Sequence, residues 1–191
     1  MSSTIEVHGL DRLYAVLKAT SLRNRRDNAA LPPVRIWSDD YSIRAAATNS
    51  FVIAETWVEA VCVEPFDVCI PRDALVEAAK QRQPKRHVLH IWPDSGRFRV
   101  VQSAETTHAA GELATVPSRT ENWRELHAPK SCDPEAVADT WLAPELAERI
   151  GPFFRACDET AVKVTANTER YGRLFEGQWG TSFLVMPVRV K

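Results

Sequence analysis

The order of apolar stretches along the chain repeats three times, and this repeat restricts the possible fold more than any other feature. Each unit, of roughly sixty residues, has a short strand-like run, an amphipathic helix and then strands of alternating pattern. The units open at Ile5, Phe66 and Val137. The combination of strands and one helix in each unit predicts an α+β protein. No unit of this kind buries its apolar faces alone, so the units are expected to pack together. The protein would contain repeated βαβββ units with helices packed on antiparallel sheets.

One helix is predicted in each unit. The first follows Gly9, the second begins at Pro71, where a missing N–H costs nothing, and the third begins near Ala143–Pro144. The predicted apolar faces are Leu10, Leu13, Tyr14 and Leu17 in the first helix, Leu75, Val76 and Ala79 in the second, and Leu146, Ile150 and Phe153 or Phe154 in the third.

Alternating and β-branched runs predict the strands, with a tight turn at Pro93 to Gly96. Beyond the opening strands, the predicted strands span residues 34–38, 41–47, 51–63, 87–92, 97–101, 106–116, 161–166, 173–177 and 181–190. A stretch rich in Pro, Ser and charge separates the second unit from the third. We therefore expect a complete two-unit domain over 1–116, a linker over 117–136 and a half domain over 137–191.

Composition excludes several classes of protein. The chain has 191 residues, of which 45% are hydrophobic and 26% charged, as in ordinary globular proteins. No apolar run is long enough to span a bilayer and the N-terminus does not resemble a signal peptide, so we expect a cytoplasmic protein with no membrane partner. The net charge of −1 argues against coating nucleic acid through overall charge but permits a basic stripe on one face.

No constellation of residues predicts catalysis, a metal site or a cofactor. The four cysteines occur singly and are expected to be reduced structural residues. His87 and His90 would point to opposite faces of a strand, so we interpret them as surface histidines rather than metal ligands. The pair Asp39–Asp40 fits a solvated turn. We therefore predict no catalytic residue, no metal and no cofactor.

Four segments resemble, in the same order, segments of the bacterial DNA polymerase III beta sliding clamp. ATNSFVIA (Ala47–Ala54) is similar to the clamp's TDGHRLA, and FDVCIPRDAL (Phe66–Leu75) to its VLIPRKAL. NWRELHAPK (Asn122–Lys130) is similar to DYRRVLPK, and VMPVRV (Val185–Val190) to the C-terminal VMPMRL. The resemblance covers most of the chain. It matches the clamp's middle domain and the last half of its third, as in a shortened clamp-like protein that a phage or mobile element could encode.

The resemblance implies a DNA-clamp-like fold and a non-enzymatic processivity factor. Such a protein would surround duplex DNA without reading its sequence and tether a DNA polymerase, clamp loader or repair protein through short linear motifs. One chain has too few units to form a ring, so a homo-oligomer is implied, with a trimer favoured over a dimer or tetramer. The competing hypothesis is a monomeric adaptor or decoy that keeps the peptide groove and never surrounds DNA.

The resemblance also implies a peptide groove. Its predicted walls are Thr48, Phe51, Val52 and Ile53, then Trp123 and Leu126 from the linker, then Val185, Met186, Pro187, Val188 and Arg189. Ser50, Phe51 and Val52 stand where the clamp segment has Gly-His-Arg. We therefore expect the groove to prefer a more hydrophobic peptide motif. The alternative is that the last strand is simply part of the core. Both can hold, because a strand can present one side to the core and the other side to the groove.

Basic residues near the helices are the predicted DNA-facing set. They are Arg12, Lys18, Arg23, Arg25, Arg26, Lys80, Arg82, Lys85, Arg86, Arg149 and Arg155. Solvated helix ends are the competing explanation, because cations are favoured at helix C-termini.

Overall fold

A computed structural model describes residues 4–21, 31–38, 42–49, 51–61, 64–81, 83, 86–103, 106–115, 142–167 and 172–185. The first unit contains β1 (Ile5–His8), α1 (Leu10–Ala19), β2 (Val34–Ser38), β3 (Ile43–Thr48) and β4 (Val52–Val61). The second contains β5 (Asp67–Ile70), α2 (Arg72–Ala79), β6 (Val88–Trp92), β7 (Arg97–Ser103) and β8 (Thr106–Glu112). The third contains α3 (Pro144–Ala156), β9 (Val162–Asn167), β10 (Gly172–Gly177) and β11 (Ser182–Val185).

This order confirms the predicted α+β class with repeated units. The opening strand predicted for the third unit lies outside the described residues except for Leu142, which packs against the core. Local signals account for several boundaries. Gly9 takes a positive φ immediately before α1, Pro144 occupies the first turn of α3, and Gly96 takes a positive φ where the β6–β7 hairpin turns.

All described strands belong to one eleven-stranded antiparallel sheet with three arms that meet at β4. One arm runs β4–β1–β6–β7–β8, and β3, β2 and β5 extend the sheet from the other edge of β4. The third unit adds β11, β10 and β9 beside β4. A bridge between Cys69 and Ala114 links β5 to the chain just after β8, so the sheet of the first two units nearly closes.

The first two units complete each other by exchanging their opening strands. β5 of the second unit pairs with β2 of the first, and β1 of the first unit pairs with β6 of the second. Neither opening strand pairs with the first strand after its own helix. The two units are therefore joined through shared strand pairings in one sheet.

The three helices share one face of the sheet, which we call the helix face. α1 packs on β3 and β4 and lies between α2 and α3, contacting both. The main core fills this space with alternating strand residues such as Val34, Ile36 and Phe183 and with both phenylalanines of α3. A second group, the outer cluster, lies on the opposite face and comprises Trp37, Ala46, Ile53, Leu174 and Leu184.

Two sequence predictions about side-chain burial are wrong. α2 buries Arg72, Leu75 and Ala78 and leaves Val76 exposed, because the helix is rotated so that Arg72 reaches buried oxygen atoms. His87 is not a surface residue: it is fully buried before β6. Its Nδ1 lies 2.9 Å from the hydroxyl of Tyr14 on α1, and its ring lies 4.4 Å from that of His108.

Candidate functional site

The pairing of β11 with β4 brings together two of the segments predicted to form the groove. In the register of this pair, Val185 lies opposite Val52 and Leu184 lies opposite Ile53. About 130 residues of sequence separate these partners. Ser182–Val185 thus occupies an edge of β4 directly beside the β3–β4 connection.

The β3–β4 connection forms a tight corner, which we define by Thr48, Asn49, Phe51 and Val52. The buried Asn49 side chain accepts hydrogen bonds through Oδ1 from the backbone N–H groups of Phe51 (3.0 Å) and Val52 (2.9 Å). The hydroxyl of Thr48 donates to the carbonyl oxygen of Val52 at 2.8 Å. Asn commonly stabilises turns in this way, because its side chain can replace a backbone acceptor. These hydrogen bonds tie the described residues of the corner to one another.

Arg72 supports the corner from inside. Its guanidinium donates to the carbonyl oxygen of Thr48 (3.0 Å), the hydroxyl of Thr20 (2.9 Å) and the carbonyl oxygen of Pro32 (3.2 Å). Burial lowers the pKa of Arg72 to about 10, so the group remains charged at neutral pH. The buried Arg72 side chain thus links the start of α2 to three other segments. These are the end of α1, the approach to β2 and the end of β3.

Burial separates the predicted groove residues into two kinds. Val52 and Val185 lie in the main core on the helix face, and Ile53 belongs to the outer cluster, so their side chains are largely covered. Phe51 is 57% exposed and Thr48 is partly exposed. Val52 and Val185 therefore lie in the core and form no part of the surface of the corner. Phe51 is the main exposed apolar group of the corner.

The remaining predicted groove residues lie outside the described residues. These are Trp123, Leu126, Met186, Pro187, Val188 and Arg189. Val185 is the last described residue of β11, so Met186 follows directly from a strand fixed against β4.

The predicted DNA-facing residues differ in their exposure and in whether the structure describes them. Lys18, Lys80, Arg86 and Arg155 are exposed. The predicted residues Arg23, Arg25, Arg26, Arg82 and Lys85 lie outside the described residues. Acidic side chains are interspersed on the helices, and Lys80 contacts one of them, Glu77, one turn away.

Arg12 and Arg149 are engaged within the chain. Arg12 lies 3.0 Å from the Asp158 carboxylate and stacks 3.8 Å above the ring of Trp57. Arg149 donates to the carbonyl oxygens of Ala19 (3.2 Å) and Ser21, at the C-terminal end of α1. A cleft of about 310 Å³ lies between α1 and α3 beside Arg149. These two arginines hold the third unit against the first.

Sequence reasoning did not single out Asn49 or Arg72 as structural determinants of the site. An Asn at a hairpin is a recognisable turn signal, but the predicted groove concerns only the outer surface of the corner. No local signal predicts that Arg72 is buried, because its acceptors come from distant parts of the chain. In the described part of the chain, no three His, Cys, Asp or Glu residues lie together as a metal site, and no helix is long and apolar enough to cross a membrane.

The fold defined by these units is that of the DNA polymerase sliding clamps. Among solved structures, the sliding clamp of Pseudomonas aeruginosa with a ligand superposes with a TM-score of 0.65 at 14% identity, covering 98% of this chain and 66% of that chain. The Thermotoga maritima DNA polymerase III beta subunit gives 0.62 at 12% identity, covering 99% and 66%. The Borrelia burgdorferi beta subunit in complex with a natural product gives 0.64 at 12% identity, covering 98% and 64%.

These similarities establish the fold and confirm the predicted likeness to the DNA polymerase III beta sliding clamps. The chain spans just under two thirds of the length of the clamps that it matches. No protein-family model matches the sequence, and no curated protein matches it.

Proposed function

We propose that this protein is a sliding-clamp-like tethering factor with no catalytic activity, acting in the cytoplasm. It would surround duplex DNA as a homo-oligomer and dock short peptide motifs of a DNA polymerase, clamp loader or repair protein. The observation that carries the proposal is the junction of β11 with the β3–β4 corner, which brings together two segments that resemble peptide-docking segments of clamps.

The chemistry of the corner supports an apolar ligand. Phe51 offers an exposed aromatic ring beside the hydrogen-bonded Asn49, and such rings contribute much of the affinity at small interfaces. Met186 and Pro187 follow β11 and would supply an adaptable apolar wall, with Arg189 available for a peptide carbonyl or carboxylate. Trp123 and Leu126 of the linker would complete this groove.

A peptide titration tests the groove. A fluorescent peptide with a clamp-binding motif would be titrated against wild type, Phe51→Ala and Met186→Ala, with Val61→Ala as a control because Val61 is equally exposed at the far end of β4. We expect affinity to fall about tenfold in each groove variant and to stay unchanged in the control. Equal affinities in all four proteins would refute the groove.

DNA encirclement requires a separate test, because topological linkage differs from surface binding. A ring threaded by DNA remains on a closed circle and slides off after the circle is cut. Contacts through Lys18, Arg86 and Arg155 would also weaken as salt rises. Equal retention on circular and linear DNA would rule out encirclement.

The monomeric adaptor or decoy remains the second candidate, and one observation favours it. Arg12 and Arg149 are occupied by contacts within the chain, and acidic groups alternate with the exposed basic ones on the helices. This candidate predicts peptide binding with no salt-sensitive affinity for DNA.

A further inference from the structure

We propose that the second unit binds single-stranded DNA on the face of its sheet opposite the helix face. Trp92 would stack on a base while Arg97 and Arg99 contact phosphates, and we call these three residues the platform. The choice of DNA as the polymer rests on the proposed function, which already brings this protein to DNA. The platform shares no residue with the predicted groove or with the predicted DNA-facing set, so it is a separate site.

The pleat of the sheet places the platform on the side away from the three helices. Leu89 of β6 and Phe98 of β7 are buried in the main core on the helix face. Side chains alternate between the two faces of a strand, so Trp92, Arg97 and Arg99 project to the opposite face. In the register of this hairpin Trp92 lies opposite Arg97, and residues in this relation are direct neighbours. The aromatic ring and the two cations therefore belong to one surface.

A cleft of about 560 Å³ opens over the platform. Its volume falls within the range of small-ligand sites, about 300 to 1,000 Å³. The three platform residues line the cleft together with Ala110 and Gly111 of β8. Ala110 lies opposite Arg99 and adds only a methyl group, and Gly111 adds no side chain. The cleft therefore has room for a base beside the arginines.

Contacts within the sheet hold two of the platform side chains in place. The ring of Trp92 stacks on that of His90, with centroids 6.0 Å apart and planes 15° apart. His90 in turn lies 3.5 Å from the carboxylate of Glu6 on β1. Arg99 donates from Nε to the hydroxyl of Thr107 at 2.6 Å, a bond that involves neither of its Nη groups. Side chains that are already ordered lose less entropy on binding, which favours affinity.

Carboxylates lie on the same face, but they do not occupy the platform arginines. Glu6 contacts His8 and His90, and none of the ion pairs formed by described residues includes a platform arginine. Glu112 lies opposite Arg97 in the register without forming an ion pair with it. Because Glu112 repels phosphate, the net attraction of the platform for an anion is small. Affinity must therefore come from stacking and direct contacts more than from net charge.

The combination of an indole ring with two guanidinium groups identifies the ligand. It favours a molecule that carries aromatic rings and phosphates at short intervals, as single-stranded DNA does. In duplex DNA the bases are stacked inside the helix, where Trp92 has no access to their faces. An acidic peptide would use the arginines but would gain little from Trp92. The platform therefore fits a single strand better than either alternative.

Fluorescence anisotropy of a labelled oligo(dT) of about 12 nucleotides, titrated with the full chain at low salt, tests base stacking. We expect a dissociation constant between about 1 and about 100 micromolar, as is usual for non-specific binding. Trp92→Ala should weaken binding at least about tenfold, and Trp92→Phe by less than about threefold because Phe keeps a stacking ring. Trp179→Ala is the matched control, since Trp179 is 64% exposed on the β10–β11 turn of the third unit. Equal losses in Trp92→Ala and the control would overturn the proposal.

An abasic strand of the same length separates stacking from charge, because it keeps every phosphate. It should bind at least about tenfold more weakly than oligo(dT) and should be insensitive to Trp92→Ala. Equal affinity for the abasic strand, or for an acidic peptide of the same charge, would show that charge alone is recognised and would overturn the proposal. Tighter binding of oligo(U) than of oligo(dT) would assign the site to RNA and also overturn it.

Salt dependence tests the phosphate contacts. Two contacts predict a slope of about −1.4 for the logarithm of affinity against that of salt concentration, and Arg97→Gln should reduce it to about −0.7. Arg97→Gln should also weaken binding at least about fivefold, whereas Lys163→Gln, which removes an exposed cation of β9, should change it less than about twofold. Glu112→Gln should tighten binding, because a carboxylate beside Arg97 is lost. Weaker binding in Glu112→Gln, or equal losses in Arg97→Gln and Lys163→Gln, would refute the contact at Arg97.

The remaining measurements separate the platform from the proposed function. Circular dichroism would verify the fold of each variant, and the abasic strand and Arg97→Gln decide the question if Trp92→Ala fails to fold. Retention on closed circular DNA and peptide affinity should be the same in the platform variants as in wild type, so failure of the proposed function is observed independently. No saturable binding of oligo(dT) up to about 200 micromolar protein would overturn the platform alone.

Discussion

Replacing Arg72 with methionine should destabilise the protein by about 3 kcal/mol, since the variant keeps most of the apolar stem and loses the guanidinium. The wild-type side chain is only 4% exposed, and its three hydrogen bonds join four segments of the chain. Without them, the carbonyl oxygens of Thr48 and Pro32 would lose their charged donor.

The magnitude follows from two opposing contributions. Hydrogen bonds to a charged group contribute about 1.5 to 3 kcal/mol each, so three of them contribute at least about 4.5 kcal/mol. Burial of the cation opposes this. Burial lowers the pKa of Arg72 from its ordinary value to about 10, which corresponds to a cost of roughly 3 kcal/mol. Removing the guanidinium abolishes the cost of burying the cation. It also leaves the three acceptors without their donor, at a further cost of about 1 to 3 kcal/mol. The expected net loss of stability is about 3 kcal/mol.

Because a lowered pKa penalises the charged form in the folded state, the penalty is constant below about pH 10. It is relieved only as pH rises from there toward the ordinary pKa of arginine. The effect of Arg72→Met should therefore be the same at pH 6 and pH 8.

Urea unfolding monitored by tryptophan fluorescence is the assay. A loss of 3 kcal/mol should lower the midpoint by about 1 to 1.5 M, and Arg155→Met, at an exposed position on α3, should leave it unchanged. Hydrogen exchange at the β3–β4 corner should accelerate in Arg72→Met alone. A loss below about 1 kcal/mol, or one equal to that of the control, would show that the three bonds do not support the fold as argued.

Three further predictions concern other parts of the fold. Asn49→Ala should lose the two hydrogen bonds of the corner and cost about 1 to 2 kcal/mol in urea unfolding, with Asn49→Asp retaining most of the stability; equal losses would contradict the assigned role of Oδ1. A Cβ at Gly177 would overlap the buried carboxylate of Glu159, so Gly177→Ala should lower Tm by at least about 3 °C; an unchanged Tm would refute the predicted overlap. Burial raises the pKa of both Cys69 and Cys157 to about 11, so peptide mapping should find both unmodified by iodoacetamide at pH 8 until urea is added, and fast labelling of either in the native protein would contradict their burial.

Local periodicity predicted the elements but not their orientation. The spacing of Leu10, Leu13 and Leu17 correctly identified the buried side of α1, because apolar residues alone form that side. On α2 the same reasoning selected Val76 and missed Arg72. The acceptors for Arg72 belong to segments that approach only in the folded chain. The surface position predicted for His87 is wrong for the same reason, since its hydrogen-bond partner, Tyr14, is 73 residues away.

The candidate site required information that no local pattern contains. The chain alone indicated an apolar terminal strand, and only the resemblance suggested that it lies beside the β3–β4 corner. Which residues face outward depends on the register of β11 with β4, where Val185 opposite Val52 directs both side chains into the core. A register shifted by one residue would have reversed this assignment.

The position of β4 also has a consequence for synthesis of the protein. Val52–Glu55 pairs edge to edge with β11, yet Ser182–Val185 is translated about 130 residues later. At roughly 5 to 20 residues per second, this edge stays open for roughly 6 to 26 seconds on the ribosome. Nascent chains stalled before residue 182 would present an unpaired apolar edge, and we expect them to depend on chaperones more than the finished protein does.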